Sequence, residues 1–275
     1  MDNRPIGVFD SGLGGLTVVR EMERLMPNEN VVYFGDTARV PYGSKSKEKI
    51  IEFSHQIMHF LLSKNVKAVI IACGTASSNA LEEMKKSYDI PIIGVVEPGA
   101  RQARSLTRNG RIGVLGTSAT IRSGAFERLL RKDQEQTEKT FSLEVFSQPC
   151  PLFVPLVEEG WFEDDVTRQV IRRYVQPLKE ADVDTLILGC THYPLLWDLI
   201  QEEMGNGVRL INVSAAAVEE MKTHLKETAF QAEEGMGHYE FYASDSVHQF
   251  KNFCSKILEL DELSVEKINI EKYGS

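Results

Sequence analysis

Two cysteines stand where a thiol could act on a bound ligand. Cys73 ends the apolar run AVIIAC, and Cys190 ends the similar run TLILGC. Both runs consist mostly of strand-forming residues, and small or polar residues follow each cysteine. Open α/β sheets bind ligands beyond the carboxyl ends of their strands. The two thiols are therefore predicted to lie at equivalent places in two similar units and to face each other across a cleft.

Both cysteines have neighbours that favour ionisation. A free cysteine has a pKa of about 8.5, so a catalytic thiol needs a helix amino terminus, a cation or hydrogen-bond donors to become a thiolate. A helix is predicted after each cysteine, and His192 follows Cys190 by two residues. The alternative is that they only pack, as most buried free cysteines do. Two cysteines at matching places favour function, whereas Cys150 and Cys254 lack such a setting and are interpreted as packing residues.

A metal site built from Cys73, Cys190 and His192 is disfavoured. Zinc ligands usually occur as closely spaced pairs, and the chain contains no C-x-x-C pair. The same absence disfavours a thioredoxin-like dithiol. His192 is interpreted as a functional residue rather than a structural imidazole, because it lies so close to a candidate thiol.

The turn DSGLGG at residues 10–15 joins a predicted strand to a predicted helix. It does not fit G-x-G-x-x-G, and no Gly-Lys-Ser/Thr follows, so it is not predicted to cradle a nucleotide phosphate. Its backbone N–H groups are predicted to bind a small anion such as a carboxylate. Asp10 begins the turn, and two roles remain open for it, capping of the helix and catalysis.

Composition limits the class of protein. With 275 residues, 42% hydrophobic and 26% charged, the chain is predicted to be a soluble globular protein. No signal peptide and no membrane span are predicted. The net charge of −9 and the scattered basic residues argue against nucleic acid as a partner. Four widely spaced cysteines predict reduced thiols and a cytoplasmic location.

Strand and helix patterns alternate along the first hundred residues, which predicts a mostly parallel sheet. Apolar runs predict strands at residues 5–9, 31–34, 68–73 and 91–96, and helical spacing predicts helices that begin near Leu16, Ser46 and Asn79.

Three stretches recur downstream in the same order. Ile6 is answered by Ile112, Cys73 by Cys190, and Pro91 more weakly by Arg209, at offsets of 106, 117 and 118 residues. This internal duplication predicts two pseudo-symmetric α/β lobes with the active site in the cleft between them.

The remainder of the chain, from residue 214, is too short for a comfortable core of its own. It contains predicted helices at 215–228 and 246–260, with a predicted strand between them at 238–243. A possible final strand follows at 264–270. We expect it to complete the first lobe. The predicted lobes are residues 1–97 with 214–275, and residues 98–213.

Five motifs in order closely resemble glutamate racemases, the cofactor-independent enzymes that interconvert L- and D-glutamate for the bacterial cell wall. The motifs are FDSGLGGL, YFGDTARVPYG, AVIIACGTAS, FVPLVEEG and LGCTHYPLL, and the resemblance extends from Ile6 to about Val213. It implies two lobes around a substrate cleft, no cofactor, glutamate as substrate, and D-glutamate supplied to peptidoglycan.

The resemblance also implies the roles of individual residues. Inversion through a planar carbanion requires a base on one face of Cα and an acid on the other, and Cys73 and Cys190 are the implied pair. Asp10, His192 and Glu158 are implied to assist proton transfer. The implied substrate-binding residues are Asp10, Ser11, Tyr42, Gly43, Gly74, Thr75, Thr191 and His192.

One residue departs from the family pattern. Gly74 stands where family members commonly carry Asn, so a side-chain hydrogen bond is lost and room is expected for water or a differently shaped substrate. Two alternatives therefore stay open: a racemase for aspartate or another amino acid, and a catalytically weak member that acts as a binding protein. The resemblance is also compatible with a homodimer, and neither a membrane nor nucleic acid is an expected partner.

Overall fold

The strands form two separate parallel sheets. The structure is a computed structural model that describes residues 1–132, 142–233, 235–258 and 264–274. In chain order the strands are β1 (Ile6–Asp10), β2 (Val31–Gly35), β3 (Ala68–Ile71), β4 (Ile92–Gly94), β5 (Arg111–Gly116), β6 (Glu144–Pro149), β7 (Thr185–Leu188), β8 (Arg209–Asn212), β9 (Tyr239–Ala243) and β10 (Val265–Lys267).

The two sheets repeat one strand order. The first runs β10-β9-β2-β1-β3-β4 and the second β6-β5-β7-β8, with every described pair parallel. The block β2-β1-β3-β4 thus matches β6-β5-β7-β8 strand for strand, and β3 and β7, which precede the two cysteines, occupy equivalent places. The predicted fold class, α/β with two mostly parallel sheets, is confirmed.

Helices connect the strands. They are α1 (Leu16–Leu25), α2 (Lys47–Ser63), α3 (Gly74–Ser87), α4 (Val96–Leu106), α5 (Ser118–Ser123), α6 (Ala125–Lys132), α7 (Phe153–Glu158), α8 (Asp165–Glu180), α9 (Trp197–Met204), α10 (Val213–Glu227) and α11 (Val247–Ile257), with 3-10 turns at Tyr42–Ser44, Tyr193–Leu196 and Ile270–Tyr273.

One helix begins earlier than its sequence predicts, and another begins where a strand is predicted. α3 starts at Gly74 rather than at Asn79, because Cys73 itself caps the helix. α4 starts at Val96, where a strand is predicted to end, and Pro98 lies in its first turn, where a missing N–H costs no hydrogen bond. The predicted end of the last helix at Leu260 lies outside the described residues.

Helix packing crosses between the sheets. α4 follows the first sheet but packs on α6, β7 and β8, whereas α10 follows the second sheet and packs on α1 and α4. β9 then pairs with β2 of the first sheet. These contacts support our proposal that residues 1–97 with 214–275 form the first lobe and residues 98–213 the second.

Buried apolar side chains continue from one sheet to the other. One cluster contains Val8 of β1 and Val114 of β5, and the central strands are buried on both faces, as expected of parallel sheets covered by helices. A second cluster lies under α2 and α3. The floor between the lobes is therefore packed protein. No helix in the described part of the chain is long and apolar enough to cross a bilayer.

Candidate active site

The carboxyl ends of β1, β3, β5 and β7 open onto one cleft of about 630 Å³. Every site residue predicted from the sequence lies in its lining: Asp10, Ser11, Tyr42, Gly43, Cys73, Gly74, Thr75, Glu158, Cys190, Thr191 and His192. The structure thus brings together residues from both lobes that are up to 182 positions apart in the chain (192 − 10).

Cys73 is the N-cap of α3. Its sulfur accepts the Ala76 N–H at 3.4 Å and donates to the Ser11 hydroxyl at 3.3 Å. Burial, and after it the negative charge of Asp10, raises the pKa of the Cys73 thiol to about 12. The helix terminus favours the thiolate, as predicted, but burial outweighs it, so Cys73 is a thiol at neutral pH.

Asp10 holds the glycine-rich turn. Its Oδ2 accepts the N–H of Gly12 at 3.2 Å and that of Gly15 at 3.0 Å, and the residue is only 2% exposed. The prediction that the turn binds an external anion is wrong for these two N–H groups, because the protein's own carboxylate occupies them. Asp10 therefore orders the entrance to α1 while keeping a negative charge near Cys73.

On the other lobe, His192 lies between a thiol and a carboxylate. Its Nδ1 is 3.7 Å from the sulfur of Cys190, and its Nε2 is 3.2 Å from Oε1 of Glu158. Burial alone would lower the pKa of His192, but the interactions with Cys190 and Glu158 outweigh it and raise this pKa to about 10. An imidazolium at neutral pH stabilises a thiolate beside it.

Gly14 leaves space for that imidazole. A Cβ built on Gly14 would lie 2.3 Å from Nδ1 of His192. The glycine-rich turn of the first lobe thus contacts His192 of the second lobe through backbone atoms alone. Below this contact, the hydroxyl of Thr17 donates to the backbone carbonyl of Thr191 at 2.9 Å and joins the two lobes.

Tyr42 and Gly43 reach the cleft on a loop anchored by Asp36. The fully buried Asp36 carboxylate accepts hydrogen bonds from the Tyr42 hydroxyl, from Nε of Arg39 at 2.6 Å and from the Ser244 hydroxyl at 2.8 Å. Burial, and then Asp36, raises the pKa of Tyr42 well above its ordinary value. The tyrosine hydroxyl is thus directed at Asp36, so Tyr42 offers the cleft its ring and backbone.

Sequence reasoning missed a row of hydroxyls on the second lobe. Thr117 and Thr120 line the cleft, and the Thr117 hydroxyl lies 3.1 Å from that of Thr75 and 3.0 Å from that of Thr120. The internal repeat carried a signal for them. The offset of 106 that relates Ile6 to Ile112 also relates Ser11 to Thr117 (117 − 11).

Gly74 does not open extra space. A Cβ built on it would lie 2.6 Å from the backbone carbonyl oxygen of Gly189, the residue before Cys190. The expectation of room for water or a differently shaped substrate is therefore wrong in the direction in which a side chain would project. Here the backbones of the two cysteine segments approach each other directly.

The other cysteines, and the histidines His55 and His59, are not among the predicted site residues. Cys150 borders the cleft but is fully buried, with its pKa raised by burial, and Cys254 is likewise buried. His55 and His59 occupy one face of α2, where their Nδ1 atoms meet the Tyr88 hydroxyl and the Tyr273 carbonyl. The described residues contain no group of three or more metal-ligating side chains.

Comparison with known proteins identifies the family. A family model described as Asp/Glu/Hydantoin racemase matches residues 6–221. The chain belongs to this racemase family. The predicted resemblance to racemases is thereby confirmed.

Individual racemases match over nearly the whole chain. A glutamate racemase of Lactococcus lactis subsp. lactis (strain IL1403) is 45% identical over 275 residues, which are 100% of this chain and 99% of the relative. The crystal structure of glutamate racemase isoform RacE1 from Bacillus anthracis has a TM-score of 0.92 at 36% identity and covers 98% of both chains. A glutamate racemase from Francisella tularensis subsp. tularensis SCHU S4, in complex with D-glutamate, has a TM-score of 0.90 at 36% identity, covering 99% of this chain and 100% of that one.

Proposed function

We propose that the chain is a glutamate racemase, which interconverts L- and D-glutamate by moving the Cα proton between Cys73 and Cys190. One observation carries the proposal: two thiols at the carboxyl ends of the equivalent strands β3 and β7 line one cleft from opposite lobes. The names of the relatives, and the D-glutamate in the Francisella tularensis complex, support glutamate as the substrate.

The chemistry needs one thiolate and one thiol. A thiolate removes the proton from one face of Cα, and the thiol on the other face delivers a proton to the planar carbanion. The first sulfur ends as a thiol and the second as a thiolate, so protons balance without a cofactor. The reverse reaction begins from the exchanged state.

The surroundings of the two sulfurs differ. Cys73 starts as the thiol, since its pKa is raised to about 12. The sulfur of Cys190 lies 3.7 Å from Nδ1 of His192, and an imidazolium there, held by Glu158 on its far side, favours a thiolate beside it. Hydroxyls such as those of Thr75 and Thr117, and the N–H groups at the start of α3, stabilise the enolate-like charge on the substrate.

The product fits a biosynthetic role. D-glutamate supplied by this reaction would enter peptidoglycan, and reduced cysteines fit a cytoplasmic enzyme. A homodimer stays a prediction.

Exchange at Cα tests the proposal. Wild-type protein in deuterium oxide with L-glutamate should lose the Cα proton signal in ¹H NMR, and circular dichroism of the solution should decay to zero. Cys73→Ala and Cys190→Ala should each abolish racemisation, whereas Cys254→Ala, which removes a buried thiol outside the cleft lining, should retain it.

Other outcomes would identify other functions. Exchange of L-aspartate but not of glutamate would favour an aspartate racemase. Binding of glutamate without any Cα exchange would favour a binding protein. Either result would refute the proposal.

A further inference from the structure

We propose that Arg122 is a substrate-binding residue, which attracts the anionic substrate to the mouth of the cleft and pairs with one of its carboxylates. The inference rests on the proposed function, because it assumes a substrate with two carboxylates. It assigns a role to a side chain that neither the motifs nor the two-thiol chemistry uses.

Arg122 spans the mouth of the cleft. It lies in α5 of the second lobe, and its Nη2 donates to the backbone carbonyl of Gly43 in the first lobe at 3.2 Å. The two lobes approach closely here, since a Cβ built on Gly43 would lie 3.9 Å from Cβ of Thr117. The guanidinium thus lies beside the very loop that presents Tyr42 and Gly43 to the substrate.

Charge favours the same role. Arg122 is the only Lys or Arg among the described residues that line the cleft, whereas Asp10 and Glu158 are acidic. Glutamate carries two carboxylates and one ammonium group at neutral pH. The acidic residues suit the ammonium, but the carboxylates gain a cationic partner only at Arg122. Because the whole chain has a net charge of −9, this local cation offsets a field that repels the substrate.

The proposed chemistry leaves the distal carboxylate free to pair with Arg122. The two thiols must flank Cα, so the side chain of glutamate and its distal carboxylate extend away from the sulfurs along the cleft. The planar guanidinium fork binds a carboxylate through two parallel hydrogen bonds, which a backbone carbonyl oxygen cannot match. The exposed Arg122 side chain is able to exchange its contact with Gly43 for the carboxylate without loss of buried packing.

Two variants and a matched control test the role. Arg122→Gln removes the charge, and Arg122→Lys keeps it but removes the fork. Arg128→Gln is the control, because Arg128 also donates to a backbone carbonyl, that of Ser123, yet lies outside the cleft lining. For each protein, kcat and KM are measured with L- and D-glutamate at low and high ionic strength. Calorimetric titration with glutarate, a dicarboxylate without an amino group, measures anion binding without turnover.

Arg122→Gln should lower kcat/KM by about tenfold, mostly through KM, and weaken glutarate binding to a similar extent. Arg122→Lys should recover part of both losses, and Arg128→Gln should match the wild type. The ratio of wild-type to Arg122→Gln kcat/KM should shrink as salt rises, since salt screens the attraction.

Unchanged KM and unchanged glutarate binding in Arg122→Gln would overturn the inference. The inference would also be overturned if Arg122→Gln lowered only kcat and Arg122→Lys did not restore it. If the wild type fails to racemise glutamate, the proposed function fails instead, and the glutarate titration still decides whether Arg122 binds a dicarboxylate.

Discussion

Glu158 and Cys190 together keep His192 charged, and the Glu158 carboxylate is the partner of Nε2 at 3.2 Å. The pKa of His192 is raised to about 10, so the imidazolium persists below that pH and is lost above it. Glu158→Gln removes the negative charge and should lower this pKa. The alkaline limb of the kcat/KM profile should therefore move toward neutral pH, with activity at pH 9 reduced by about tenfold relative to pH 7.

The pH profile of kcat/KM is the measurement, and Glu159→Gln is the matched control. Glu159 is the next residue in the chain and is exposed, so its replacement should leave the profile unchanged. If the alkaline limb does not move in Glu158→Gln, Glu158 does not contribute to the ionisation of His192, and the prediction is wrong.

Gly14 gives a steric prediction about the same histidine. In Gly14→Ala the new methyl group would meet the imidazole 2.3 Å from Nδ1, so the ring must turn away from Cys190. A misplacement of about 1 Å in a catalytic group costs on the order of 10²-fold in rate, and a loss of this size in kcat is expected.

Steady-state kinetics and the thermal unfolding temperature should be measured together on Gly14→Ala. Gly207→Ala is the control, because a Cβ there meets nothing within 4 Å. If Gly14→Ala kept the wild-type kcat, the imidazole of His192 would be able to shift without loss of function, and the steric prediction would be wrong.

At the scale of elements, Asp36 ties the substrate loop to the first sheet. It follows β2, accepts from Tyr42 and Arg39 of the loop, and bonds to Ser244 just after β9. Asp36→Asn leaves the guanidinium of Arg39, whose side chain is only 10% exposed, without its main counter-ion. Breaking one partner of a buried pair costs about 3 kcal/mol or more.

Asp36→Asn should therefore lower the free energy of unfolding in urea by about 3 kcal/mol and raise KM more than it lowers kcat, because the loop presents binding groups rather than thiols. Asp89→Asn makes the same charge change at an exposed site and should alter neither quantity. If KM stays at the wild-type value while stability falls, Asp36 supports the fold but not the loop.

Element type was predictable wherever the local pattern was strong. The apolar runs before Cys73 and Cys190 predicted β3 and β7, and the helical spacing after Ser46 predicted α2, which Ser46 caps. The start of α3 was missed by five residues (79 − 74), because the small polar residues after Cys73 are typical of loops as well as of first helical turns.

The site was predictable as a set of residues but not as a geometry. Motifs and the internal repeat located the two cysteines and their neighbours. The contact of Gly14 with His192 and the span of Arg122 to Gly43 were not predictable, because each joins the two lobes. Such contacts depend on how the sheets pack against each other, and no local pattern in the sequence reports that.

At the scale of the whole molecule, the cleft couples the two lobes through the substrate. A ligand that binds only the folded chain stabilises it by about 2.7 kcal/mol at a hundred times its Kd. Residues of both lobes line the cleft, so a bound substrate must be released before either lobe unfolds. Saturating D-glutamate should therefore raise the unfolding temperature by several degrees and sharpen the calorimetric transition.

Differential scanning calorimetry with D-glutamate, and with butyrate at equal ionic strength as the control, is the measurement. Butyrate has one carboxylate and no ammonium group, so it should engage fewer groups in the cleft and shift the transition little. If D-glutamate shifted only one of two resolved transitions, the ligand would bind to a single lobe. The thiols would then not flank one Cα, since that geometry requires the substrate to lie between β3 and β7 and to contact both lobes at once.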